Sequence, residues 1–115
     1  MKFFAAILSG AMIALFSQSA VAACKRPPEP TTAGAAKMTR AEILNVVREV
    51  KKFQAALMDF RQCLDQEKLA LGEEITEDQF NAYKQRYDAS VDIEQKVADA
   101  ANAAIRAYKA ANAKK

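Results

Sequence analysis

Ile43, Val46, Val50, Phe53, Leu57, Phe60 and Leu64 follow one another at alternating steps of three and four residues. That period matches the turn of an α-helix and draws one apolar seam along its side. The residues between are polar or small. Glu49 with Lys52, and Asp65 with Lys68, have the spacing of ion pairs on a solvated helix surface. The pattern predicts a first helix from about Arg40 to Leu71, followed by Gly72, which tolerates the left-handed conformation common just past a helix end. A second seam reads Phe80, Tyr83, Tyr87, Val91, Glu94, Ala98, Ala101, Ile105 and Tyr108, and predicts a helix over about 77–112.

Each predicted helix opens with the same arrangement, "MTRAEI" at 38–43 and "ITEDQF" at 75–80. Thr39 can accept from the Glu42 backbone N–H while the Glu42 side chain reaches back to Thr39, and Thr76 with Gln79 can do the same. These are capping boxes, with Met38 and Ile43, and Ile75 and Phe80, placed as hydrophobic staples.

Only Gly72 to Ile75 separate the helices, so the chain should fold back on itself. The expected fold is all-α, an antiparallel two-helix hairpin over 40–71 and 77–112. In that register Leu64 faces Tyr83, Phe60 faces Tyr87, Leu57 faces Val91, Val50 faces Ala98, Val46 faces Ala101 and Ile43 faces Ile105. Phe53 falls opposite Glu94, and a buried unpaired carboxylate is costly. Glu94 is therefore expected at the seam edge with its carboxylate in solvent, or else binding a partner. Ile93, Val97, Ala100 and Ala104 lie beside the seam and need cover, from the preceding segment or from a second copy.

That preceding segment, "CKRPPEPTTAGAAK" at 24–37, has three prolines, one glycine and no apolar period. It predicts an extended arm with polyproline II character around Pro27 to Pro30. Before the arm, "MK" leads into the apolar run from Phe3 to Phe16 and then into "SQSAVAA", the layout of a secretory signal peptide. The run is short for a helix that must cross about 30 Å of hydrocarbon. The expected division is a signal peptide over 1–22, cut after Ala22 or Ala23, an arm over 23–38 and a hairpin domain over 39–115. "VAAC" at 21–24 also resembles a lipobox. If Cys24 carried lipid, the protein would be anchored to the outer membrane, and that alternative stays open.

A hairpin of this size seldom gains more than about 3–5 kcal/mol from its core. Exported proteins commonly add disulfides, and the chain has two cysteines, Cys24 and Cys63. Cys63 lies about 36 Å along the helix from Thr39 at the α-helical rise. The arm from Cys24 to Thr39 spans about 46 Å at the polyproline rise. The arm can therefore run back along the first helix and be tied to it by a Cys24–Cys63 disulfide.

Two resemblances follow from these stretches. "ITEDQ" is similar to the Leu-Thr-x-x-Gln motif of the small periplasmic stress chaperones, with Ile for Leu, and "MTRAE" has Glu where the second copy of that motif has Gln. Those chaperones wrap more helices than this chain has room for; the resemblance implies client binding in the periplasm. The signal peptide, the Cys near a Pro-rich start, the "QCL" of the long helix and the Lys- and Ala-rich final helix together resemble small secreted proteobacterial helical proteins. That resemblance implies location and fold and assigns no activity.

Charge and chemistry narrow the function. The 115-residue chain has a net charge of +3, which loss of Lys2 with the leader lowers by one. That balance does not suggest a nucleic-acid partner. Glu73, Glu74, Glu77 and Asp78 cluster mid-chain, and Arg106, Lys109, Lys114 and Lys115 at the end, as the macrodipole of a helix favours. There is no histidine, so the commonest general base and metal ligand is missing. Cys63 has neither a His to activate it nor a Cys-x-x-Cys partner, no phosphate-binding glycine loop occurs, and the acidic stretch lacks the ligand order of a calcium loop. No catalytic residue, cofactor or metal is expected. The expected protein is a non-enzymatic helical hairpin of the bacterial envelope, periplasmic or secreted, that binds a second copy or an envelope protein and meets the membrane only if Cys24 is lipidated.

Overall fold

The computed structural model describes residues 24–113, so the signal-peptide expectation over 1–22 lies outside the described residues. Two helices dominate, α1 over Arg40–Leu71 and α2 over Glu77–Asn112, and they form an antiparallel hairpin. Both begin at a reciprocal cap. Thr39 Oγ1 accepts from the Glu42 N–H at 3.2 Å, and the Glu42 carboxylate accepts from the Thr39 N–H at 2.9 Å. Thr76 and Gln79 repeat the pair at 3.1 and 3.0 Å. Each box satisfies helix-end donors that would otherwise lack a partner.

The turn between the helices depends on Gly72. Its φ of 61° and ψ of −147° lie near a region of backbone space essentially reserved for glycine, and its N–H donates to the Leu69 carbonyl. This is stricter than the left-handed cap the sequence suggests. A short 3-10 turn over Gly72–Glu74 then leads into the second cap.

The seam of α1 is buried along its whole length, from Ile43 through Val46, Val50, Phe53, Leu57 and Phe60 to Leu64. On α2 the expected seam needs correction. Its buried residues are Ser90, Ile93, Val97, Ala101 and Ala104. Phe80 and Val91, both expected inside, are 43 % and 46 % exposed. Tyr83, Tyr87, Ala98, Ile105 and Tyr108 are half-buried. The helix is thus rotated about its axis, turning the Ile93–Val97–Ala104 stripe inward. The reason is a third wall. The arm ends in a 3-10 turn, Ala35–Lys37, entered through Gly34 at φ 80°, and buried Ala35 joins the cluster of Ile43, Val46, Val50, Phe53, Leu57, Ile93, Val97, Ala101 and Ala104. The stripe left beside the predicted seam is covered from within the chain.

The start of the arm follows α1 as expected. Pro27, Pro28 and Pro30 line a groove with Glu49, Lys52, Phe53 and Ala56. Its end then crosses to α2, where the 3-10 turn packs. A second, smaller core of Cys24, Phe60 and Leu64, flanked by Cys63, Tyr83 and Tyr87, closes the end near the turn.

Candidate functional site

Among the described residues, three side-chain constellations and one open face bear chemistry. The first lies where the arm meets the hairpin. Cys24 and Cys63 are joined by a disulfide, with their Cα atoms 5.7 Å apart. The spacing of α1 puts Glu67 one turn beyond Cys63, and the antiparallel return of α2 brings Arg86 alongside. The Cys24 N–H donates to Glu67 Oε1 at 3.3 Å, Arg86 donates to Glu67 Oε2 at 3.1 Å, and the Cys24 carbonyl accepts from Arg86 at 2.9 Å. The guanidinium also lies 5.6 Å from the centre of the Phe60 ring, within cation–π range. Cys24, Cys63 and Glu67 present ligand-type atoms within 4.8 Å of one another. Cysteine ligates a metal as its thiolate, and both sulfurs are committed to the bridge, so in this state the Glu67 carboxylate is the ligand-type group of the trio that remains.

The second constellation sits between the two apolar clusters. Arg61 reaches across the hairpin to Glu94, 2.8 Å away, and to the Ser90 hydroxyl, 3.4 Å away. Ser90 is fully buried and donates to the Tyr87 carbonyl at 2.6 Å. The Glu94 carboxylate is therefore paired with Arg61 and partly covered, rather than standing free at the seam edge as the sequence suggests. Arg61, like Glu67 and Arg86, is a residue that sequence reasoning missed. It follows Phe60, two turns from the Phe53 that the expected register sets opposite Glu94, so that register points to Lys52 rather than to Arg61.

The third constellation is aromatic and lies near the turn. Lys68 sits 4.8 Å above the Tyr83 ring and 5.8 Å from that of Phe80. The Tyr83 hydroxyl donates to Asp65 at 2.5 Å. That hydrogen bond, then burial, then the negative charge of Asp65 push the phenol up to about 12, so it stays protonated and is no general base at neutral pH.

The open face is on the other side of the hairpin from the prolines. A groove of about 240 Å³ runs between Val47, Val50, Lys51 and Gln54 on α1 and Ala98, Ala101, Asn102 and Ile105 on α2. Leu44 and Met58 flank it on α1 and Val91 on α2, each close to half exposed or more. No described helix is long and apolar enough to cross a membrane.

Together these features define a disulfide-strapped helical hairpin. Comparison of the chain with protein-family models, with curated proteins and with solved structures gives no match. The bridge is consistent with an oxidising, exported location, where disulfides persist.

Proposed function

We propose that this chain is a non-enzymatic binding module of the bacterial envelope, periplasmic or secreted, whose partner seats a helix on the face the arm leaves open. The observation that carries the reading is the pattern on that face. Leu44, Lys51 and Met58 on α1, and Val91, Ala98 and Ile105 on α2, recur at seven-residue steps along the two sides of the groove. Heptad steps suit the knobs of a third helix, and amphipathic helices commonly bind in such grooves. An exposed apolar strip, interrupted by Lys51 and edged by polar Gln54 and Asn102, is also what an interaction surface requires. The lack of histidine in the sequence and the protonated state of Tyr83 support the non-enzymatic part.

The partner is a second copy or another envelope protein. A second hairpin turned over on the first would lay one pair of stripes on the other and complete a four-helix bundle. The chaperone alternative rests on "ITEDQ", whose Thr76 and Gln79 side chains are engaged in the helix cap.

The test is a photo-crosslinking residue placed at Met58 or Val91 and activated in intact cells. A discrete adduct is expected at both positions and none at the arm-side Lys25. Adduct mass separates a dimer from a foreign partner, and Val91→Asp introduced alongside the Met58 label should abolish the adduct while leaving helical content unchanged. Equal labelling of many unrelated proteins would favour the chaperone alternative, and no adduct from this face would sink the proposal.

A further inference from the structure

We infer that the exported chain begins at Cys24 and that its new α-ammonium group is held in the fold by Glu67. This rests on the export reading, because it requires a leader to be removed. The leader's end offers two cuts. Ala20 with Ala22 place small residues third and first before one scissile bond, and Val21 with Ala23 flank the other, with the larger Val in the third position. The geometry around Cys24 separates them.

Cys24 is buried at the beginning of the arm, whereas its neighbours Lys25 and Arg26 are exposed. Its main chain is bracketed on both sides, the nitrogen by Glu67 and the carbonyl by Arg86, and the Arg86–Glu67 ion pair closes the ring. Within that ring the two carboxylate oxygens are treated differently. Oε2 faces the Arg86 cation. Oε1 lies 3.1 Å from the Cys24 sulfur, which has no hydrogen to give once it is oxidised, and 3.3 Å from the Cys24 nitrogen. With a peptide bond to Ala23, that nitrogen offers one neutral N–H at long range. As a free amine it would be largely protonated at neutral pH, with three hydrogens and a positive charge for Oε1. A cut after Ala22 would place that charge one residue farther out, about 3.8 Å along the chain.

The chemistry is hydrolysis of the Ala23–Cys24 amide. Water adds to the carbonyl, the carboxylate leaves with Ala23, and the amine stays on Cys24. Because a peptidase needs extended chain on both sides of the bond, the cut precedes docking of Cys24 on Glu67. The lipid alternative needs the same sulfur that the bridge uses, so the two are mutually exclusive in one molecule.

Intact mass of the unreduced protein, exported from its own leader, tests this. The expected mass starts at Cys24, lacks two hydrogens for the bridge and carries no lipid. A start at Ala23 or upstream within the leader's end overturns the inference and leaves export standing. Retention of the whole leader overturns both, and a lipid adduct on Cys24 overturns the inference in favour of the anchored form. A second readout tests the clamp. Acylation of the Cys24 amine at neutral pH, read from the N-terminal peptide after digestion, should be about tenfold slower than in Glu67→Gln, the factor expected for loss of a charge-assisted hydrogen bond. Equal rates in the two proteins would overturn the clamp.

Discussion

The two ends of the hairpin are held together by different means. Away from the turn, the arm's Ala35 and apolar residues of both helices make one cluster, to which α2 contributes Ala101 and Ala104 beside Ile93 and Val97. Near the turn, the buried apolar set shrinks to Cys24, Phe60 and Leu64, and a disulfide, an ion pair and a cation over an aromatic ring surround it. Burial scales with apolar area, and the turn end has little of it. A covalent tie instead lowers the entropy of the unfolded chain and needs no area at all. A small protein can thus stabilise one half by burial and the other by crosslinking.

The largest effect should come from cutting the tie. Cys63→Ser opens a loop whose ends are 39 residues apart, and in the chain-entropy model this costs about 4 kcal/mol. Urea unfolding of oxidised wild type and variant measures it. Amide exchange then sharpens the comparison, since protection should fall more around Tyr83 to Ser90 than around Val97 to Ala104. Uniform loss along both helices would mean that the halves are one cooperative unit.

Leu57→Ala probes the apolar half. Leu57 is completely buried at the end of that cluster nearest the polar centre, and its truncation should cost about 3 kcal/mol through lost burial and the cavity left behind. Loss of this size in the oxidised protein would show that the bridge does not substitute for packing in the other half. A cost under about 1 kcal/mol would place the site among those that can collapse, and would weaken the distinction drawn here.

What the sequence made legible follows the same division. The α1 seam is readable because its residues are large and the spaces between them polar, and both caps are readable because Thr39, Glu42, Thr76 and Gln79 act on their own neighbours. The bridge was accessible from arm length alone. The face of α2 was not. Ala98, Ala100, Ala101 and Ala104 carry too little hydrophobic contrast to fix a rotation, so the larger Val91 and Phe80 drew the expected seam partly off the buried face, although Ala101, Tyr83, Tyr87 and Tyr108 do pack. Ser90 looks like a surface residue until its hydroxyl is seen donating to Tyr87 and facing Arg61. Ala35 is buried by the turn at Gly34, which no periodic pattern announces. The ring of Cys24, Glu67 and Arg86 joins residues far apart in the chain, and only the return of α2 reveals it.

The boundary between the halves can be tested with smaller effects. Arg61 and Glu94 retain 15 % and 29 % of their side-chain exposure. Arg61→Leu strands the Glu94 carboxylate, at a cost of about 2 kcal/mol, below the range for a fully buried pair because water still reaches the acid. Adding Glu94→Leu should recover most of the loss, since a hydrophobic pair of similar volume is often as stable as a buried ion pair. A double-mutant cycle reads the coupling between them. Simple additivity would show that the pair does not join the halves.

The smallest effect is a titration at the turn end. Tyr83 is pushed up to about 12 from an ordinary value of 10.0, first by its hydrogen bond to Asp65. A phenol whose folded value is raised favours the protonated state in the fold. Its stabilising contribution is therefore complete below pH 10 and disappears as pH rises through about 12. In an ultraviolet titration Tyr83 should ionise as a late step at about 12. Asp65→Asn removes both the strongest acceptor and its negative charge, so it should bring that late step back towards 10. If Asp65→Asn leaves it in place, the late step does not belong to the Tyr83–Asp65 hydrogen bond, and that bond adds nothing to the bridge, the Glu67–Arg86 pair and the small core that hold the turn end.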